Sequence, residues 1–318
     1  MPDEPIELSY LIVNTDGGEL LHRCVDAITQ TCPLEPSRRE VIVLDNASTD
    51  GSAQRLEERH GEVVQVVHQR LRSGKALNDT FLLELARGRF AMLLNEDSEL
   101  LDGASAALLA ALQATPGAAA AGAQLLDPEG RPQPCAWRFP TLPTALAGAV
   151  FAHRRFTVQS GGGERREVDW VQSAAMLVRH AAFREVGGLD PRFFVYSDEV
   201  DWQRRLRDAG WSILYEPDAH AIHHEQLRHD ADFSRARIVE FSRNRDRYLR
   251  KHHGWPIALA ARGLTAWAYG LRAVAATVLP GHSARRFAFH VRATLVPAHS
   301  GPGLAEKADA FNRSLPYA

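Results

Sequence analysis

The chain has 318 residues, with 37 Lys and Arg against 39 Asp and Glu, a formal net charge of -2, 45% hydrophobic and 24% charged residues. This composition supports a folded core and excludes a disordered chain, a collagen-like repeat and a small disulfide scaffold. Near-neutral charge gives no global electrostatic footprint for nucleic acid, so no nucleic-acid partner is expected. Three cysteines (Cys24, Cys32, Cys135) cannot all pair within one chain and stand at no metal-ligand spacing, which suits free thiols in a reducing compartment. The start Met1-Pro2-Asp3-Glu4, followed by a short apolar run, lacks the form of a signal peptide, so a cytoplasmic location is expected.

Apolar runs of strand length then alternate with helical patterns, which predicts an α/β class with a mostly parallel central sheet. Leu8 to Val13 reads as a strand, and Leu20, Cys24, Ala27 and Ile28 space a helix over Glu19 to Ile28. Val41 to Leu44 is the next strand, followed by a turn from Asp45 to Gly51 and a polar helix from Ser52 to Arg59. Val63 to Val67 is a third strand, Gly74 to Ala86 a helix, and Phe90 to Leu94 a fourth strand that stops at Asn95-Glu96-Asp97-Ser98-Glu99. Prolines and Gly161 to Gly163 make the middle irregular. Asp169 to Val178 reads as a strand, His180 to Val186 as a short helix, and Asp198 to Ala209 as a helix. A long basic helix begins near Asp232, and Pro256 separates it from the apolar run Ile257 to Leu279.

In open α/β sheets, ligands bind beyond the carboxyl ends of the strands, so Asn14 to Asp16, Asp45 to Ser48 and Asn95 to Ser98 should converge on one crevice. Asn95 and Asp97, two apart beyond a buried strand, offer oxygen ligands on one side, as Mg²⁺ or Mn²⁺ requires. The same residues also suit a solvated turn before a helix near Gly103. Asp45 could bind a ribose in a dinucleotide fold, but Asn14-Thr15-Asp16-Gly17-Gly18 lacks the glycine spacing such a fold needs. The acids of Asp198-Glu199-x-Asp201 suit either catalysis or the electropositive first turn of a helix.

Ordered blocks along residues 8 to 225 resemble the inverting nucleotide-sugar transferases of glycosyltransferase family 2, particularly rhamnosyltransferase-like members. They are Ile12-Val13-Asn14, VIVLDNASTDGS from Val41, RGRFAMLLNEDS from Arg87, DWVQSAAMLVRHAAFREVGGLD from Asp169, FFVYSDEVDWQRRLRDAGW from Phe193, and His223-His224 after a strand-like Ala219 to Ile222. The resemblance implies the GT-A nucleotide-diphospho-sugar fold and transfer of a sugar from a nucleoside diphosphate to a hydroxyl of a glycan or lipid-linked saccharide. By the same resemblance Asn14, Asp16, Asp45, Asn46, Ser48, Asn78, Asn95 and Glu96 line the donor nucleotide. Asp97, Asn95 and His223 would hold Mg²⁺ or Mn²⁺, with His224 the alternative histidine and Glu96 or Glu99 a helper. Glu199, with Asp198 beside it, would be the general base, and Trp170, Ser173, Ala174 and Asp201 would lie on the acceptor side. The chain departs from the family pattern at Asn14-Thr15-Asp16, Asn95, Ser73-Gly74-Lys75 and Ser173-Ala174. A catalytically silent sugar-nucleotide-binding or scaffold protein of the same fold is the rival reading.

The expected organisation is a catalytic domain over residues 1 to 231, its nucleotide part at about 1 to 100 and its acceptor part at about 101 to 231, then a helical extension over 232 to 318. Within Ile257 to Leu279, Arg262 and Arg272 argue against spanning a bilayer. At about 100° per residue, Arg262, Thr265, Tyr269 and Arg272 fall on one stripe, and Leu264, Trp267, Leu271 and Val274 on the other. Residues 235 to 279 could therefore meet the cytoplasmic face of a membrane as a peripheral surface, or pack on protein, including a second copy in a homodimer.

Overall fold

The computed structural model describes residues 5–224, 231–279 and 281–315, without the side chains of 231–234. Strands β1 (Leu8–Asn14), β2 (Arg39–Asp45), β3 (Val64–His68) and β4 (Phe90–Asn95) alternate with helices α1 (Gly18–Thr31), α2 (Ser52–His60) and α3 (Lys75–Leu85). The strands run parallel in the order β3-β2-β1-β4. Leu8, Tyr10, Leu11 and Ile12, and likewise Phe90 to Leu94, are buried along their whole length. Side chains on both faces of these strands are covered, which is why they read as continuous apolar runs rather than alternating ones.

Beyond β4 the chain adds β5 (Ser98–Leu100), α4 (Ala104–Ala114), β6 (Ala118–Leu126), β7 (Ala136–Trp137), β8 (Arg166–Val168), β9 (Trp170–Val171) and β10 (Ala175–Arg179). Helices α7 (His180–Val186) and α8 (Asp198–Asp208) and strand β11 (Ser212–His223) follow; α5 (Leu142–Ala149) and α6 (His153–Thr157) fall between β7 and β8. Strand β10 is antiparallel to both β4 and β6, and β11 is parallel to β6 but antiparallel to β5 and β8. The sheet is therefore parallel in its first half and mixed in its second. Strand β10 enters from the tight turn at Ser173 and Ala174 instead of a crossover helix, and so runs against its neighbours.

One expected strand differs, and one strand was not among those expected. The strand expected over Asp169 to Val178 is two strands: that turn sends Trp170–Val171 to a small sheet with Ala136–Trp137 and Ala175–Arg179 to the main sheet. The alanine-rich β6 has no apolar periodicity, and alanine favours helix, so it carries no strand signal. Its small side chains fit where neighbours crowd: a Cβ on Gly122 would lie 2.5 Å from Cβ of Val171.

The chain forms two compact units. One holds the main sheet: the described residues up to Trp137, Gln159–Arg192, and those from Glu199 to the end of β11. The other is helical and joins Arg138–Val158 and Phe193–Asp198 to the C-terminal helices α9 (Ala231–Ala275), α10 (Ala284–Leu295) and α11 (Leu304–Ser314). Helix α9 breaks at Gly254, whose φ of 80° and ψ of 168° are not helical, and Pro256 sits at the start of its second half. Glycine tolerates that positive φ, and proline near a helix start forfeits no internal hydrogen bond.

Candidate active site

The parallel strands set one edge of the first unit. Asn14 pairs in register with Asp45, and Asp45 with His68, so the last residues of β1, β2 and β3 lie side by side. The antiparallel register of β10 on β4 pairs Ala175 with Leu94, which brings the preceding Ser173 and Ala174 to the same edge; the Asn95 amide donates to the Ala174 carbonyl at 3.3 Å. The antiparallel β11 to β5 pairing sets His223 opposite Ser98, beside Asp97. Three stretches distant in sequence thus meet at the tip of β4.

The residues expected around a nucleotide form a tightly bonded rim. Asn14 is buried; its Nδ2 donates to Asp45 Oδ1 at 3.1 Å, Ser48 Oγ at 3.0 Å and Ser52 Oγ at 3.0 Å, while its Oδ1 accepts from the Gly17 amide at 3.1 Å. The other Asp45 oxygen faces His68 Nδ1 at 3.3 Å. Asp16, at a φ of 55°, accepts from the Thr49 amide at 2.7 Å and pairs with Arg72. Asn46 clamps Ser73 from both ends of its amide, accepting from the Ser73 amide at 2.8 Å and donating to its carbonyl at 3.2 Å. Asn78 is buried and accepts from the Ser73 hydroxyl. Asn14, Asn46 and Asn78 therefore shape the rim and the Ser73 turn through their own hydrogen bonds.

Asp97, Asn95 and His223 come together at the end of β4. His223 Nε2 lies 3.5 Å from Asp97 Oδ1 and 3.3 Å from Asn95 Nδ2. The amide orientation of an asparagine is an assignment, and the flipped form would present Asn95 Oδ1 to the same point. His224 turns elsewhere: its imidazole pairs with Glu99, which Arg23 also meets at 2.8 Å, and its amide donates to the Asp97 carbonyl at 3.0 Å. Neighbouring oxygens around an octahedral Mg²⁺ are about 3 Å apart, so this carboxylate, imidazole and amide fit a divalent ion whose other positions a diphosphate would fill. Among the described residues, no group of three or more His, Cys, Asp and Glu side chains could hold a metal ion by itself. Glu96 lies against this cluster, and burial and the Asp97 charge push its carboxyl up to about 8.

Glu199 stands in the first turn of α8, and its Oε2 accepts from the Ser173 hydroxyl at 3.3 Å. Burial pushes its carboxyl above the usual range, opposed by the Lys75 ammonium and reinforced by the Asp79 carboxylate. Lys75 opens α3 and meets Asp79 Oδ2 at 2.8 Å. It also lowers Glu96, so this one cation influences both the candidate base and the acid beside the candidate metal ligands. In the sequence Lys75 stands out only within the departure at Ser73-Gly74-Lys75; its signal is a lysine opening the helix after β3.

Of the remaining expected residues, Asp201 and Trp170 are engaged by other side chains. Asp198 heads α8 and is fully buried. Asp201 meets Arg205 Nε at 3.1 Å, and that guanidinium donates to the carbonyls of Val186, at 3.2 Å, and Gly188. The Trp170 ring stacks on Trp137 with centroids 4.6 Å apart.

Comparison with known proteins agrees with this fold. The chain matches the family described as "Glycosyltransferase like family 2" over residues 5–270. It is 32% identical over 206 residues to an N-acetylglucosaminyl-diphospho-decaprenol L-rhamnosyltransferase of Mycobacterium tuberculosis, a match covering 58% of this chain and 66% of that protein, just under two thirds. Among solved structures it is similar to GalNAc-T7 with UDP, GalNAc and Mn²⁺, at a TM-score of 0.60 and 13% identity over 99% of this chain and 59% of the other. It is also similar to the mannosyltransferase PcManGT of Pyrobaculum calidifontis with GDP-Man and Mn²⁺, at a TM-score of 0.56 and 16% identity over 98% of this chain and 86% of the other. The sheet, its strand-end rim and these matches identify the chain as a member of glycosyltransferase family 2 with the GT-A fold.

Proposed function

We propose that this chain is an inverting transferase that moves a sugar, rhamnose-like or another hexose, from a nucleoside diphosphate to a hydroxyl of a glycan or lipid-linked saccharide in cell-surface polysaccharide synthesis. The observation that carries the reading is the juxtaposition at the β4 tip: Asp97, Asn95 and His223 on one side, and Glu199 held by Ser173 on the other. Glu199 as carboxylate takes the proton of the acceptor hydroxyl while its oxygen bonds to the anomeric carbon and the bond to the diphosphate oxygen breaks. Displacement from the opposite face inverts the centre, and no enzymic nucleophile is needed. Mg²⁺ or Mn²⁺, when bound by Asp97, His223 and Asn95, would supply positive charge to the departing diphosphate. Ser173 orients the base, and Lys75 favours its ionised form. The rhamnosyltransferase of M. tuberculosis supports a lipid-linked acceptor, and with it work at the cytoplasmic face of a membrane.

A second reading, a silent sugar-nucleotide-binding or scaffold protein of this fold, is favoured by one observation: Asp97 and His223 are joined only by an amide, and no third ionisable ligand completes the set among the described residues. Calorimetric titration with UDP, dTDP, GDP and their sugars, each with Mn²⁺ and with chelator, followed by turnover assays, separates the two. Metal-dependent binding with turnover is expected; binding without turnover on any acceptor tested would favour the silent protein.

A further inference from the structure

The second half of α9 is turned so that its polar stripe faces protein and its apolar stripe faces outward. Arg262 Nη2 donates to Asp246 Oδ1 at 2.6 Å, Arg245 Nη2 donates to Thr265 Oγ1 at 2.6 Å, and the Tyr269 ring stacks on His290 at 4.4 Å. All of these partners lie within the helical unit. At about 100° per residue, Leu259, Trp267 and Val274 fall within one arc of about 80°, on the side away from Thr265 and Tyr269, with Trp255 at its margin next to the break at Gly254. Those four are exposed, Trp267 by 60% and Val274 by 69%, and Val278 and Leu279 continue the exposed apolar run after the helix. Every exposed residue from Gly254 to Val274 is apolar. Water-soluble helices bury their large apolar side chains; here Ala258, Ala261, Thr265, Ala266 and Ala268 hold the buried positions and the tryptophans face outward.

The charge of the stretch that carries this face is one-sided. Between Asp246 and Glu306 the sequence has no acidic residue and eight Lys and Arg. Arg235, Arg285, Arg286 and Arg292 line a cavity of about 380 Å³ in the same unit, whose lining holds no carboxylate. The N-terminus of α10, capped by Ser283, adds its own positive potential beside Arg285 and Arg286. A second copy meeting this face about a twofold axis would set basic segment against basic segment, which electrostatics disfavours. No helix among the described residues is long and apolar enough to cross a membrane.

We propose that the outward face of the second half of α9 and the turn that follows it, residues 255 to 279, docks on the surface of an anionic phospholipid bilayer, its tryptophans and aliphatic side chains entering the interface and exposed arginines of the same helical unit meeting lipid phosphate. The proposal rests on the reading of a lipid-linked acceptor for its purpose, but not for its test. The full chain is sedimented with vesicles of phosphatidylglycerol and phosphatidylcholine, and with phosphatidylcholine alone. Binding to the anionic vesicles is expected, weakening as salt rises. Trp267→Glu combined with Val274→Asp should lower the partition coefficient by about tenfold or more, because charged groups then enter the interface. Arg285→Glu with Arg286→Glu should weaken binding to anionic vesicles by a similar factor, about tenfold. All four side chains are exposed or at the rim, and matched circular dichroism melts verify that the variants fold.

Absence of binding to anionic vesicles, or undiminished binding by the Trp267 and Val274 variant, overturns the proposal. So does a dimer in light scattering that this variant converts to monomer, since a second copy would then cover the face. Transfer to a water-soluble acceptor is measured in parallel. Vesicle binding without any transfer would leave the docking surface standing and remove the proposed reaction, whereas transfer without vesicle binding would do the opposite.

Discussion

His223 Nε2 lies 3.5 Å from Asp97 Oδ1, whereas the adjacent His224 is turned to Glu99. One histidine of the pair is thus presented to the candidate metal ligands and the other to a salt bridge. His223→Ala should weaken Mn²⁺-dependent donor binding by about tenfold or more, with His224→Ala much milder. Calorimetry with Mn²⁺ and with chelator measures both; equal effects of the two substitutions would remove His223 from the metal set.

Glu199 is the carboxylate that accepts from the Ser173 hydroxyl near the tip of β4. Glu199→Gln keeps the shape and the hydrogen bond but cannot take a proton, so turnover should fall by about 10²- to 10⁴-fold while donor affinity stays near wild type. Single-turnover kinetics with donor titration tests this, and a variant that retains wild-type turnover would exclude Glu199 as the base.

Burial raises the Glu199 carboxyl, with Lys75 lowering and Asp79 raising it. A general base works as its anion, so kcat/KM should fall as pH drops through a value above that of an ordinary glutamate. Lys75→Met removes the stabilising cation and should move this acidic limb to higher pH. Asp79→Asn removes an opposing negative charge and should move it lower. A pH profile in which the two variants shift the limb the same way would contradict the assignment.

Asn14 joins β1 to the β2 turn through Asp45, Ser48, Ser52 and the Gly17 amide. Asn14→Ala leaves buried partners unpaired and should cost about 1–3 kcal/mol of stability. Thermal unfolding should show this loss even without donor, whereas a residue acting only by touching the nucleotide would leave the unliganded melt unchanged.

The residue pattern by itself determined the alternating β1 to β4 architecture, because strands buried on both faces must be apolar throughout and their ends must turn polar. It also carried the family likeness, in ordered blocks that share a common edge once folded. The alanine run of β6 held no such signal, since its strand form depends on fitting between β10 and β11 and under Val171. Likewise, residue order could not pair Ser173 with Glu199 or separate the roles of His223 and His224, because antiparallel register brings those groups to the β4 tip. Periodicity over Ile257 to Leu279 announced two faces but not their direction. Only the tertiary structure decided that, by supplying Asp246, Arg245 and His290 as partners for the polar stripe. Arg262 is held by the Asp246 carboxylate and Arg245 by the Thr265 hydroxyl, and such partners lie beyond the reach of any local pattern.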